Sequence, residues 1–533
     1  IVYQCKNLVM RTVMAAELNV LAHQLDRISE RSWQYRDFTL NSLRDAIREV
    51  IACYPVYRTY INAYAGLTDE RDKAIVISAV REAERRNPVL SSAIFEFLRK
   101  TLLLQYPAGP DEAGRNEQNL FVMRFQQFTG PVMAKGVEDT ASYIYNPLIS
   151  LCEVGGSPQQ FGLPVEEFHR HNMQRNQSKP HSFIATSTHD SKRGEDVRAR
   201  INVLSEIPEE WRSALNRWSG LNKDKKTLID GEPAPDRNEE YLIYQTLLGT
   251  YPPREVTHEE MAVYGGRIRD YMLKAIREAK VHTSWISPNT AYEEAVTRFV
   301  TDILEPSSAF LTDFESLNGP VATCGMYNSL SQVVLKIFSP GVPDIYQGNE
   351  LWAFNLTDPD NRRPVDFEQR KRLLKELRKE LTTSQDLARL AETLLTDSHD
   401  GRVKLYVAWR SLNYRRDNSA LFSAGKYLPL NSAGAKKNHL CAFAWQKGKQ
   451  QLVIAAPRLV AGLVGKTGKA PTGSEVWGNT YLILPRRPRV HNYRNIFTGE
   501  DVNVQEESKE VLRLADVFKT LPVAVLESVA ARD

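Results

Sequence analysis

Apolar positions recur at helical spacing through the first hundred residues. Leu18, Leu21, Leu25 and Ile28 fall on one helix face. Thr39 is placed to cap a helix carrying Leu43, Ile47 and Val50, which Pro55 ends. Thr68 is placed to cap the next, with Asp69 and Glu70 in its first turn. The run Tyr106–Asp111 breaks the pattern. Phe121 to Phe128 is apolar and aromatic, and the short run Gly130–Gly136 after it is either a buried strand or a tight loop. A polar helix over Val165–Gln174 precedes Phe183–Thr186, which is expected to be a buried strand.

Helical spacing returns between residues 204 and 320. Pro208 opens an amphipathic stretch with Trp211, Leu215 and Trp218. A long helix follows over Glu259–Lys280, and Thr290 with Glu293 suits a capping box before Val296, Phe299, Val300 and Ile303. Tyr327–Phe338 is expected to be helical, and Val342–Tyr346 a short strand with a polar mouth. Helices over Gln369–Leu381 and Gln385–Leu395 come next. Helix, strand and polar loop in that order is the rhythm of an α/β barrel. After residue 400 the period becomes two: Val403, Leu405, Val407 and Trp409 alternate with Lys404, Tyr406, Ala408 and Arg410. Further strands are expected at Leu440–Trp445, Gln451–Ala455, Thr480–Leu484 and Pro522–Leu526, with a turn at Lys447-Gly448. Gly462–Gly473 has the composition of a mobile loop.

The fold class predicted is α/β: the C-terminal part of a (β/α)8 barrel with large helical insertions, then an antiparallel β-sandwich. The expected division is a helical subdomain over 1–120, a barrel segment over 121–203, a second helical insertion over 204–320, a barrel segment over 321–398 and a β domain over 399–533.

Composition narrows the function. The chain has 533 residues, enough for several domains, and carries 69 basic against 65 acidic side chains. That balance, without a long basic run, excludes a general nucleic-acid surface. No apolar run is long enough for a membrane span, and no signal peptide is visible. Cys5, Cys53, Cys152, Cys324 and Cys441 are scattered and form no CxxC pair, which fits a reducing cytoplasm rather than a disulfide framework or zinc site. His169 and His171 lack evident partners for a metal, so no metal or cofactor is expected. The chain starts with Ile1 and runs at once into a helical pattern, which suggests a piece cut from a longer protein.

The densest chemistry follows Phe183–Thr186. His189 and Asp190 stand where that strand should end, and Lys192, Arg193, Glu195, Asp196, Arg198 and Arg200 follow. Ionisable groups at the C-terminal end of a barrel strand are either a site or a solvated loop that starts a helix. Lys135, Glu138 and Asp139 form a second cluster, which is alternatively a local ion pair on a surface loop. Carboxylates, planar donors and aromatic faces such as Trp352, Phe354, Tyr143 and Tyr145 suit a polyhydroxylated ligand. No phosphate-cradling glycine motif is present.

Five stretches carry a more specific signal: THDSKRGEDVRAR, GPVMAKGVEDTASYIYNPLISLCEVGG, PGVPDIYQGNELWAFNLTDPDNRRPVDF, RDFTLNSLRDAIREVIACYPVYRTYI and KAIREAKVHTSWISPNTAYEEAV. Together they resemble maltooligosyltrehalose synthase, (1→4)-α-D-glucan 1-α-D-glucosylmutase, of the α-amylase superfamily (glycoside hydrolase family 13). The resemblance runs over essentially the whole chain. It implies an intramolecular transglycosylase that turns the reducing-end α-1,4 bond of a maltooligosaccharide into an α,α-1,1 bond, with a trehalohydrolase as pathway partner. It makes Phe183–Thr186 the seventh barrel strand, Val342–Tyr346 the eighth, and Gly130–Gly136 part of the sixth-strand region. Asp190 matches the third superfamily carboxylate, the transition-state stabiliser, and His189 a donor to the same sugar ring. Lys192, Arg193, Lys135, Glu138, Asp139, Tyr346 and Arg363 are expected around the glucose, or alternatively as ion pairs bracing the loops. The nucleophile and acid/base motifs are not found and are expected upstream of Ile1, which would leave this chain inactive alone. The competing expectations are an α-amylase-type hydrolase or transferase and a non-catalytic glucan-binding protein.

Overall fold

The computed structural model describes residues 1–105, 112–254, 256–383, 386–465, 469–485, 490–506 and 509–529. The chain divides into two compact units, Ile1–Asn146 with Ala275–Asn289, and Pro147–Lys274 with Thr290–Asp533.

The first unit is helical. Helices span Val2–Arg11, Ala15–Glu30, Leu40–Ala52, Glu70–Arg86, Ser92–Leu102 and Glu112–Met133. Leu18, Leu21, Leu25 and Ile28 are buried together with Leu43, Ile47 and Val50, as their spacing requires. Thr39 caps its helix, accepting the Ser42 N–H at 3.2 Å. The next helix is capped by Asp69 instead of Thr68; its carboxylate accepts the Arg71 N–H at 2.7 Å and is the better acceptor beside the positive helix end. The break expected at Tyr106–Asp111 lies outside the described residues.

Gly130–Gly136 is neither strand nor loop. The helix runs through Gly130 and Pro131 to Met133 and widens into a π-helix over Ala134–Ala141. Phe121, Val122, Phe125, Phe128 and Val132 form one buried stripe at helical spacing, and that stripe outweighs the breakers. The wide turns bring residues five apart into register: Thr140 Oγ1 donates to Lys135 O at 2.8 Å and Ser142 Oγ to Val137 O at 3.1 Å. Gly136 is required here because a Cβ would stand 3.0 Å from the Lys6 Cα of the first helix.

In the second unit Phe183–Ile184 pairs in parallel with Val342–Pro343. Val342 N–H donates to Ser182 O at 2.8 Å and Asp344 N–H to Ile184 O at 2.9 Å. Gly341, at φ +124°, lets the second strand enter; a Cβ would meet Ser182 O at 2.7 Å. A 30-residue helix, Ala309–Phe338, leads into that strand and is buried along most of its length. It runs through the boundary expected at 320/321, just as Glu112–Met133 runs through the one expected at 120/121.

The strand expected at Val403–Arg410 is a helix, Arg402–Asp417. Val403, Lys404, Leu405, Tyr406, Val407 and Ala408 are all buried, so this helix is covered nearly all round. The apparent period of two was chance alternation inside a uniformly buried run. The β region therefore begins at Lys426, not at residue 399. Its six-stranded antiparallel sheet has the order Asp501–Asn503, Asn492–Asn495, Ala524–Ser528, Gln450–Pro457, Leu440–Lys447, Lys426–Pro429. A four-stranded sheet contains Gln505–Glu506, Glu510–Arg513, Tyr481–Ile483 and Ser432–Ala433. Ala442, Val453, Leu482, Leu512 and Leu526 from both sheets share one apolar cluster. Within the expected loop Gly462–Gly473, helices touch both ends, Val460–Val464 and Gly473–Trp477.

Candidate functional site

The loop after Phe183–Ile184 presents His189 and Asp190 to solvent, with side chains 60% and 68% exposed and His189 Nε2 3.4 Å from Asp190 Oδ2. The backbone beneath them is fixed. Thr188 N–H donates to Ser191 Oγ at 2.9 Å, and Asp190 N–H to Thr188 Oγ1 at 3.2 Å. Asn361 Nδ2 donates to His189 O at 2.8 Å. Glu153 accepts the N–H groups of Lys192 at 2.7 Å and Arg193 at 3.1 Å, and its carboxylate also pairs with Arg198 at 3.1 Å. An exposed acid on a tied-down loop keeps its orientation without conformational cost at the moment of binding.

Arg193 corrects one expectation. It is 0% exposed. Its Nη1 donates to Ile149 O and Cys152 O, both at 3.1 Å, and Nη2 donates to Tyr271 OH at 3.0 Å. The guanidinium closes a turn inside the protein and does not face a ligand. Lys192 is also buried.

Behind the loop lies a buried charge network. Glu195 meets Lys336 and Lys404, each at 3.0 Å, and Asp196 meets Lys404 at 2.8 Å. Asp196 also accepts the Ala353 N–H at 2.8 Å, and Lys404 donates to Leu351 O at 3.3 Å. Thr186 hydrogen-bonds the same Glu195. Burial pushes the Glu195 carboxyl up, but the two lysines outweigh it and hold the group below the usual carboxylate range. The helix Glu195–Ile201 is thereby locked to Ala309–Phe338 and Arg402–Asp417.

Tyr346 and Arg363 stand on the other side of Asn361. Tyr346 OH donates to Asn361 O at 3.2 Å. Arg363 pairs with Asp360 at 2.9 Å, and Arg267 holds the same carboxylate at 3.0 and 2.9 Å. Burial and the neighbouring Arg267 charge pull the Arg363 guanidinium down. Asp360 is raised by burial, but the Arg267 hydrogen bond and charge together bring it below its ordinary value. Asn361, Asp360, Arg267 and Arg363 line a cavity of about 520 Å³ with Trp352, Phe354 and Arg370.

In the first unit Lys135, Glu138 and Asp139 share the π-helix. Lys135 Nζ lies 2.7 Å from Asp139 Oδ2. Glu138 is buried and accepts the Tyr57 hydroxyl. His169, in the second unit, is turned inward and hydrogen-bonds Tyr427 OH at 2.8 Å; burial lowers its pKa.

Residue type and spacing do not mark Glu153, Asn361, Tyr57, Lys336 and Lys404 as site residues, and only the structure brings them to their partners. For the two lysines a signal exists: each is the one charge in an apolar run, VVLKIF and VKLYVAW, where a charge is retained only with a buried partner.

A helix-rich α/β chain whose parallel strand pair delivers an exposed His-Asp dyad onto a braced, charged loop defines the class. No protein-family model matches the chain. A protein of Mycobacterium tuberculosis (strain CDC 1551) that carries the name maltooligosyl trehalose synthase is 36% identical over 366 residues, covering 68% of this chain and 41% of its own length. The solved maltooligosyltrehalose synthase of Arthrobacter ramosus superposes with a TM-score of 0.76 at 32% identity, over 99% of this chain and 58% of that one. The Sulfolobus tokodaii structure described as a hypothetical maltooligosyl trehalose synthase gives 0.68 at 29% identity, over 99% and 57%. The chain is thus a homologue of part of maltooligosyltrehalose synthase, spanning less than two thirds of each of these relatives.

Proposed function

We propose that this chain forms part of an intramolecular transglycosylase that converts the reducing-end α-1,4 bond of maltooligosaccharides into an α,α-1,1 bond. The observation that carries the reading is the exposed His189–Asp190 pair at the end of a strand paired in parallel, within a chain that matches a solved maltooligosyltrehalose synthase over 99% of its length. In this reading the strand pair is strands seven and eight of a (β/α)8 barrel, and the two C-terminal sheets form a sandwich.

Asp190 stabilises the oxocarbenium-like transition state electrostatically, and His189 donates to the same ring. The cleaved glucose must turn in place so that its anomeric hydroxyl attacks the glycosyl-enzyme. Escape and water both compete, so donors must surround it. Lys192, Tyr346 and Arg363 supply donors around it, while Arg193 braces the loop. The remaining carboxylates of the reaction are assigned to the part of the relatives that this chain does not span. A hydrolase that splits the α,α-1,1-capped product would be the partner in the pathway. The five cysteines form no disulfide among the described residues, which supports a reducing, cytoplasmic setting; among the described residues no helix is long and apolar enough to cross a membrane.

The test is product analysis on the full-length enzyme with maltopentaose. Non-reducing product that disappears in Asp190→Asn is expected; reducing sugars alone would establish a hydrolase instead. Lys192→Ala in that enzyme should raise hydrolysis relative to transfer, and an unchanged ratio removes Lys192 from the pocket.

A further inference from the structure

Trp285 is 52% exposed, yet its indole is not free to turn. The Arg277 guanidinium lies over the ring, 4.8 Å from its centroid. The indole N–H donates to Glu278 Oε1 at 3.1 Å. The loop that carries it is closed on itself: Ser284 N–H donates to Ser287 O at 3.2 Å, Ser287 N–H to Ser284 Oγ at 3.0 Å, and Asn289 N–H to Thr283 Oγ1 at 2.9 Å. Lys280, at the start of that loop, holds φ +58°, a left-handed conformation uncommon for a residue with a Cβ. The ordering entropy of this large exposed side chain is thus offset in the free protein, before any ligand arrives.

The restraints continue into the π-helix of the same unit. Glu278 Oε2 is 3.3 Å from Lys280 Nζ, and Lys280 Nζ donates to Thr140 Oγ1 at 3.0 Å. Thr140 follows Asp139 directly. One chain of hydrogen bonds therefore joins the exposed indole to the helix that carries Lys135, Glu138 and Asp139.

We propose that Trp285 is a stacking platform for one glucose ring of an α-1,4-glucan. The inference rests on the glucan reading above and assigns it a contact residue outside the charged clusters. A pyranose offers an apolar C–H face of the same breadth as an indole, and its hydroxyls radiate in the ring plane. Arg277 occupies one face of the indole, so the sugar takes the other, and the charged groups of Glu278 and Lys280 lie at its rim. A pinned ring binds without a fresh ordering cost, which is how a single aromatic contributes usefully to a weak ligand.

The 533-residue chain itself is titrated with maltopentaose by calorimetry, alongside Trp285→Ala, Trp285→Phe and, as a control, Trp33→Ala at the other strongly exposed tryptophan. The alanine variant should bind about tenfold more weakly, with phenylalanine and the Trp33 control within about threefold of the parent. Circular dichroism melts verify that each variant is folded. Affinity unchanged in a folded Trp285→Ala overturns the platform and leaves the glucan reading standing. Absence of maltopentaose binding by the parent chain overturns the glucan reading, and the platform with it.

Discussion

Lys404 Nζ lies 2.8 Å from Asp196 Oδ2, and neither side chain reaches solvent. The lysine comes from a helix just before the β region, and the aspartate from the first turn of the helix that follows the His189–Asp190 loop. Replacing Lys404 by Met should leave two buried carboxylates with Lys336 alone. The expected loss is about 3–5 kcal/mol, read as a fall in urea midpoint at constant slope. The double variant Lys404→Met/Asp196→Leu should recover a large part of it, because the stranded charge is removed along with its partner.

The same network makes stability fall in acid. The folded Glu195 carboxyl titrates below its unfolded value, so the unfolded chain binds its proton first as pH drops. The stabilisation is complete above the unfolded carboxylate range, near pH 4–5, and disappears as pH falls through the lower folded value. Urea midpoints measured from pH 6 to pH 2 should show this decline, and Glu195→Gln should flatten it.

Asp190 should matter for activity and little for stability. Its carboxylate is mostly exposed and its loop is held by backbone contacts, so Asp190→Asn should shift stability by no more than about 0.5 kcal/mol. In the full-length enzyme the same change should lower kcat by at least about a hundredfold. Thermal melts and initial rates on one preparation separate the two effects, and a large loss of stability would show that Asp190 is structural.

Gly341→Ala tests the strand pair. The added Cβ would collide with Ser182 O at 2.7 Å, and φ +124° disfavours any residue with a side chain. A loss of about 1–3 kcal/mol is expected, together with faster amide exchange at Val342 and Asp344, whose N–H groups form the ladder.

Much of this organisation was legible in the residues. The helices of the first unit followed from apolar spacing, and the strands at Leu440–Lys447 and Gln450–Pro457 from alternation. The exposed His189–Asp190 pair stood out by charge density at a strand end. The failures share a physical cause. Local periodicity and breakers mark Val403–Arg410 as strand and Gly130–Gly136 as strand or loop, whereas burial on nearly every side decides the first and a continuous apolar stripe the second. Arg193 could not be distinguished from its exposed neighbours because its partners, Ile149, Cys152 and Tyr271, are distant in sequence. Charge says that a partner exists; only the fold says whether the partner is protein or ligand.

The π-helix over Ala134–Ala141 sets a limit on how this protein can change. A π segment differs from an α-helix by register: its wide turns bring residues five apart, not four, into contact. Point substitutions at Lys135 or Asp139 alter one group and leave the others where they are. A single-residue deletion here would remove the five-residue register and with it the contacts of Thr140 with Lys135 O and of Ser142 with Val137 O. Length in this short segment is therefore under tighter constraint than identity, and natural variation should show exchanged residues there far more readily than gaps.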